Sequence, residues 1–182
     1  MIKKLLLTLL ALVVLGAGLL MIPAAQDRVV TGAISRILQN QFEGTDGLDI
    51  IFCGTASPLG NDPARAQACV AVITPDHFLL FDAGAGSATR LNGLPQERLQ
   101  GIFLTHFHSD HIAAIPDVNL GSWVTGRPSP LQIFGPEGVE QVVDGMNMAY
   151  AQDFQYRVAH HGADLLPPEN GPMNAIVIQP EQ

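Results

Sequence analysis

Four metal-binding side chains, His106, His108, Asp110 and His111, fall within six residues of the stretch Thr105-His106-Phe107-His108-Ser109-Asp110-His111. The cluster directly follows the apolar run Gly101-Ile102-Phe103-Leu104. A buried strand ending in such a cluster delivers its side chains together at one rim of a sheet. Imidazole and carboxylate donors at this density suit zinc, with manganese or iron as lesser alternatives. The offsets divide the work. His106 and His108, two apart, point the same way off an extended segment and grip one ion. Asp110 and His111, just beyond and at a helix start, are placed to grip a second. A loop needing only polarity would use Ser, Asn or Gly, yet three of the chain's six histidines lie here.

His106-x-His108-x-Asp110-His111 resembles the signature of the metallo-β-lactamase superfamily, and the setting is similar too. Phe52-Cys53-Gly54-Thr55-Ala56-Ser57-Pro58 resembles its first strand and Gly-Thr turn, and Phe78-Leu79-Leu80-Phe81-Asp82-Ala83-Gly84 its strand ending in Asp-x-Gly. Gly121-Ser122-Trp123-Val124-Thr125-Gly126-Arg127, Ile133-Phe134-Gly135-Pro136-Glu137-Gly138 and His160-His161-Gly162 resemble the branch containing tRNase Z and arylsulfatase-like phosphodiesterases. The resemblance implies an α/β fold, the first half of an αβ/βα sandwich. It implies a binuclear zinc hydrolase in which metal-bound hydroxide attacks a phosphodiester or sulfate ester. His106 and His108 would hold one ion and Asp110 and His111 the other. Asp110 would also orient the nucleophile. A tRNA 3′-processing ribonuclease and a non-catalytic metal-binding module are the alternatives. Asp82 reads either as a turn or capping residue or as the acceptor that holds a ligand histidine's outer N–H; the resemblance favours the second.

The superfamily's later ligands are a third histidine for the first ion, a bridging carboxylate and a final histidine for the second. Nothing after His111 offers them in the expected context. In the branch resembled, His-His-Gly precedes the missing motif, so His160 and His161 read as hydrogen-bonded or cleft-lining imidazoles. The expectation is the front part of a longer enzyme, which alone binds metal weakly and hydrolyses little.

Ahead of this region, Lys3 and Lys4 precede residues 5–22, an uncharged and mostly apolar run near the minimum that crosses a bilayer. Residues 1–25 therefore read as a membrane anchor, with a cleaved signal peptide as the alternative. Either places the domain in the periplasm, on the bacterial inner membrane or free of it. Residues 26–44 read as an amphipathic helix and linker, and residues 45–182 as the partial hydrolase domain. The 182-residue chain carries a net charge of −8. With four basic and two acidic side chains in residues 1–44, the remainder sits at −10, and no lysine follows Lys4. An acidic surface repels polyanions, which argues against nucleic acid as a partner. A small ester substrate and a membrane partner are expected instead, with a homodimer allowed.

Within the domain, residues 48–53, 69–74, 78–81, 99–104, 131–134 and 175–178 read as strands. Residues 87–92 and 139–150 read as helices, and 112–118 as a helix start cut by Pro116. The long 54–68 connection is of a length that tends to be functional. Cys53 and Cys69 end and begin strands that are candidate neighbours. Two buried thiols are the expectation over a disulfide, because spacing alone does not place the Cα atoms within bonding reach.

Overall fold

The computed structural model describes residues 44–59 and 64–179, together with Gln26 and Phe42. Six strands form one sheet: β1 (Asp49–Gly54), β2 (Cys69–Ile73), β3 (Phe78–Phe81), β4 (Leu99–Phe103), β5 (Gln132–Gly135) and β6 (Asn174–Val177). They lie side by side in the order of the chain. The β1–β2 and β2–β3 pairs are antiparallel, and β3–β4, β4–β5 and β5–β6 are parallel. Parallel neighbours need crossovers, and the helices supply them: α1 (Ser87–Arg90), α2 (Ser109–Ile112), α3 (Ile115–Val124) and α4 (Val139–His161). Right-handed crossovers that always advance in the same direction fall on the same side of a sheet.

The two faces differ accordingly. Ala71, Leu80, Ile102 and Ile133, side by side on β2 to β5, are wholly buried and join Leu91, Ile115, Val118, Val139 and Val143 from the helical side in one core. The opposite face carries a row that crosses all six strands in register: Phe52, Val70, Phe81, Phe103, Phe134 and Ile176. Phe103 stacks on Phe81 at 5.2 Å between ring centroids and on Phe134 at 4.4 Å. Phe52 is nonetheless 72% exposed, and Phe81 and Ile176 are exposed as well. A helical layer on a mixed six-stranded sheet matches the α/β class expected from the sequence.

Several local expectations need correction. Cys53 and Cys69 form a disulfide, with Cα atoms 5.1 Å apart. The antiparallel register sets Gly54 opposite Cys69 with an irregularity after Phe52, which brings the two thiols together. Pro116 does not cut a helix. It occupies the first turn of α3, where its missing N–H has no intrahelical partner to lose. Helix α4 runs on to His161 instead of stopping at Tyr150. Its second half is mostly exposed, so apolar periodicity gave no sign of it. Asn147, which exchanges hydrogen bonds with the Met173 backbone at 2.8 and 2.9 Å, fastens the helix beside β6.

The expected membrane helix at residues 5–22 lies outside the described residues, as does the amphipathic segment at 26–44 except for Gln26, Phe42 and Gly44. Among the described residues no helix is long and apolar enough to cross a membrane.

Candidate metal centre

The parallel strands β3 and β4 both end at one rim of the sheet, the usual location of sites in such folds. Beyond β3 comes Asp82, and beyond β4 comes the 105–111 stretch. Two backbone clamps join these segments: the Asp82 N–H donates to the Phe103 carbonyl (3.0 Å), and the Ala83 N–H to the His111 carbonyl (2.7 Å). The Ala83 carbonyl in turn accepts from the Ala114 N–H (2.8 Å). Gly84 completes the fit. A Cβ there would stand 2.6 Å from the Gln67 Cβ and 2.9 Å from the Ala68 nitrogen, so the Asp-x-Gly segment is wedged against the strip that leads into β2.

Asp82 is buried and has φ 58°, a left-handed conformation that aspartate tolerates better than most residues. Its carboxylate faces the cluster. Oδ1 accepts from the Thr105 backbone N–H at 2.9 Å, and Oδ2 lies 2.9 Å from the Thr105 hydroxyl and 2.8 Å from His111 Nδ1. An ionised carboxylate only accepts, so His111 carries its proton on Nδ1 and keeps a lone pair on Nε2. That Nε2 lies 3.4 Å from Asp110 Oδ2. On the other side, His106 Nε2 lies 3.0 Å from His108 Nδ1. Phe107, between them in sequence, packs against Gly135 and Gly138. The alternation of an extended segment thus separates its apolar side chain from the two imidazoles.

The donor set fits divalent zinc. Bonds of about 2.0–2.1 Å in a tetrahedral site put neighbouring donor atoms about 3.3 Å apart. The His106–His108 pair at 3.0 Å and the Asp110–His111 pair at 3.4 Å each match one such edge. Among the described residues no group of three or more His, Cys, Asp or Glu side chains is arranged around a single point. Each of these pairs brings two donor atoms together. The rings of His106 and His111 are also close, at 4.1 Å between centroids, so the two pairs adjoin.

His160 and His161 sit in the last turn of α4, exposed, with their rings perpendicular to each other at 4.6 Å. An imidazole near a helix C-terminus is favoured by the partial negative charge there. Sequence reasoning missed Thr105, whose hydroxyl lies within 3.0 Å of both Asp82 and His106. Its place immediately before His106 was the available signal.

A model described as the metallo-beta-lactamase superfamily matches residues 62–170. Ribonuclease Z of Mycobacterium marinum is 42% identical over 126 residues, which are 66% of this chain and 44% of that protein. Ribonuclease Z of Mycobacterium bovis gives the same identity and the same shares. The chain thus spans less than half the length of these curated relatives. Among solved structures, the crystal structure of the metallo-beta-lactamase fold protein YhfI from Bacillus subtilis has a TM-score of 0.51 at 22% identity. It is matched over 76% of this chain and 48% of its own, and shows likeness of fold. The relatives correct one expectation drawn from charge: proteins this similar bear the name of a ribonuclease, so nucleic acid is not to be set aside as a partner. The net charge of −8 sums the whole surface, whereas recognition of a polyanion acts locally, where bound cations reverse the sign. The comparisons lend no support to a membrane partner.

Proposed function

Because the chain belongs to the metallo-beta-lactamase superfamily, we propose that residues 105–111 carry metal ligands of a hydrolase that cleaves phosphodiester bonds in RNA. The observation that carries this reading is the pairing of donors, His106 Nε2 with His108 Nδ1 and Asp110 Oδ2 with His111 Nε2, each at the spacing of one coordination edge. The first pair would hold one zinc ion and the second pair another. The likeness to Ribonuclease Z supports RNA as the substrate class.

When bound, such ions lower the pKa of a water to about 7 and neutralise charge on the attacked phosphate. The protein's own part is positioning. Asp82 keeps the His111 ring in one tautomer and one orientation, with the lone pair of Nε2 turned towards Asp110. Asp110, buried at the rim, would accept a proton from the attacking water.

The test is metal analysis and RNA hydrolysis by the chain, alongside His106→Ala and His111→Ala. The reading predicts that zinc is retained and lost pair by pair, and that any cleavage of RNA disappears with it. Equal zinc content in the chain and both variants would sink it. Hydrolysis of an aryl sulfate but not of RNA would keep the metal assignment and overturn the substrate class.

A further inference from the structure

We propose that Thr105 is a positioning residue that sets the tautomer of His106, so that one carboxylate, Asp82, orients an imidazole in each donor pair. This deepens the metal-site reading above and rests on it.

The directions of the hydrogen bonds follow from Asp82 outward. Its ionised carboxylate has no proton to give. The Thr105 hydroxyl, 2.9 Å from Oδ2 and 3.1 Å from Oδ1, must donate its single proton to it. What remains on Oγ1 is lone pairs, and His106 Nδ1 lies 3.0 Å away. His106 therefore donates from Nδ1, which leaves Nε2 unprotonated and facing His108 Nδ1. His111 reaches the same carboxylate directly, through Nδ1 at 2.8 Å. Its 3.4 Å separation from the Thr105 hydroxyl is the weaker contact. Both imidazoles thus present Nε2, one through the hydroxyl and one without it. Outer partners of this kind fix ring orientation and raise ligand basicity.

The hydroxyl is separable from the fold. Thr105 is exposed, and its backbone N–H keeps a bond of its own to Asp82 Oδ1 at 2.9 Å. Replacing the hydroxyl by a methyl group leaves that anchor and the β-branched shape in place.

The experiment compares the full chain with Thr105→Val and Thr105→Ser. Two quantities are measured: the His106 tautomer by nitrogen NMR of the metal-free protein at a pH where imidazoles are neutral, and Co2+ affinity by titration. The original chain and Thr105→Ser are expected to hold His106 as the Nδ1–H form. Thr105→Val should show mixed tautomers and about tenfold or greater loss of Co2+ affinity, with an unchanged melting temperature. Val retaining both the tautomer and the affinity overturns the proposal, as does Ser failing like Val. If Val does not fold, Thr105→Ala is read in its place on the same terms. If the original chain takes up no Co2+, the metal reading fails, while the NMR result still decides the role of Thr105.

Discussion

Gly84 approaches Asp110 so closely that a β-carbon on it would lie 2.0 Å from the Asp110 carbonyl oxygen. The segment after β3 and the loop that carries the donors are therefore in contact backbone to backbone, and a single methyl group is enough to part them.

Gly84→Ala should cost about 1–3 kcal/mol, the usual range for overpacking, and should weaken metal binding by more than that loss alone explains. The displaced atoms belong to the backbone of Asp110, so the error is passed to its pairing with His111. Urea denaturation together with a zinc titration checks this; loss of stability with unaltered zinc affinity would count against the coupling.

Asp82→Asn separates chemistry from shape. Asparagine tolerates the left-handed φ of 58°, but its amide nitrogen cannot accept the bonds that Thr105 and His111 donate. Zinc affinity is expected to fall by about 10- to 100-fold, with the melting temperature only slightly changed. Asp82→Ala should lose the same affinity and also melt earlier, since alanine is strained at that φ.

Reduction of the Cys53–Cys69 disulfide, which closes a loop of sequence separation 16, should remove about 3 kcal/mol on chain-entropy grounds. That corresponds to a fall in melting temperature on the order of 10 °C for a domain of this size. The strip after the loop hydrogen-bonds to the Asp-x-Gly segment through Gln67 N–H to the Ala85 carbonyl and Gly84 N–H to the Ala68 carbonyl. Amide exchange at Gln67, Gly84 and Ala85 should therefore accelerate on reduction more than at β5.

Arg127 is buried, and among the described residues no carboxylate sits on its guanidinium. It donates to Ser122 Oγ (3.0 Å), Asn119 Oδ1 (2.7 Å), the Asn170 carbonyl (3.1 Å) and the Ser129 carbonyl. Burial lowers its pKa from the usual guanidinium value to about 10. A base that is less basic when folded penalises the fold wherever it is charged in both states. The penalty is constant below about pH 10 and relieved only as pH rises from there towards the ordinary guanidinium pKa. Arg127→Met, which strands those acceptors, should lose about 2–4 kcal/mol. The loss should be equal at pH 6 and pH 9; a difference between the two would show another group titrating with it.

The donor cluster and its strand were legible because the chemistry is local: four side chains within six residues need no knowledge of the fold. The order of strands and helices was legible for the same reason, through short-range period. Relationships across the chain were not. Arg127 meets Asn170 over a separation of 43 residues, and Asn119 meets the Gly171 carbonyl over 52, and none of these residues looks unusual in its own neighbourhood. The disulfide depended on a register that only pairing of β1 with β2 defines. Pro116 was misread because proline is compatible with a first turn and incompatible with an interior, and sequence leaves the helix start uncertain by more than that margin.

The sheet's spatial order, identical to its order along the chain, bears on how the domain is made. During synthesis each strand emerges when its partner is already present and has only to be added at a free edge. Among the described strands none must be inserted between two that have already joined, and none waits for a distant partner. Each addition closes a short loop or a single crossover, so the entropy of closure is met in small steps. The sheet can therefore lengthen from β1 towards β6 at the pace of the ribosome, and the donors after β4 come into place once β3 and β4 have paired.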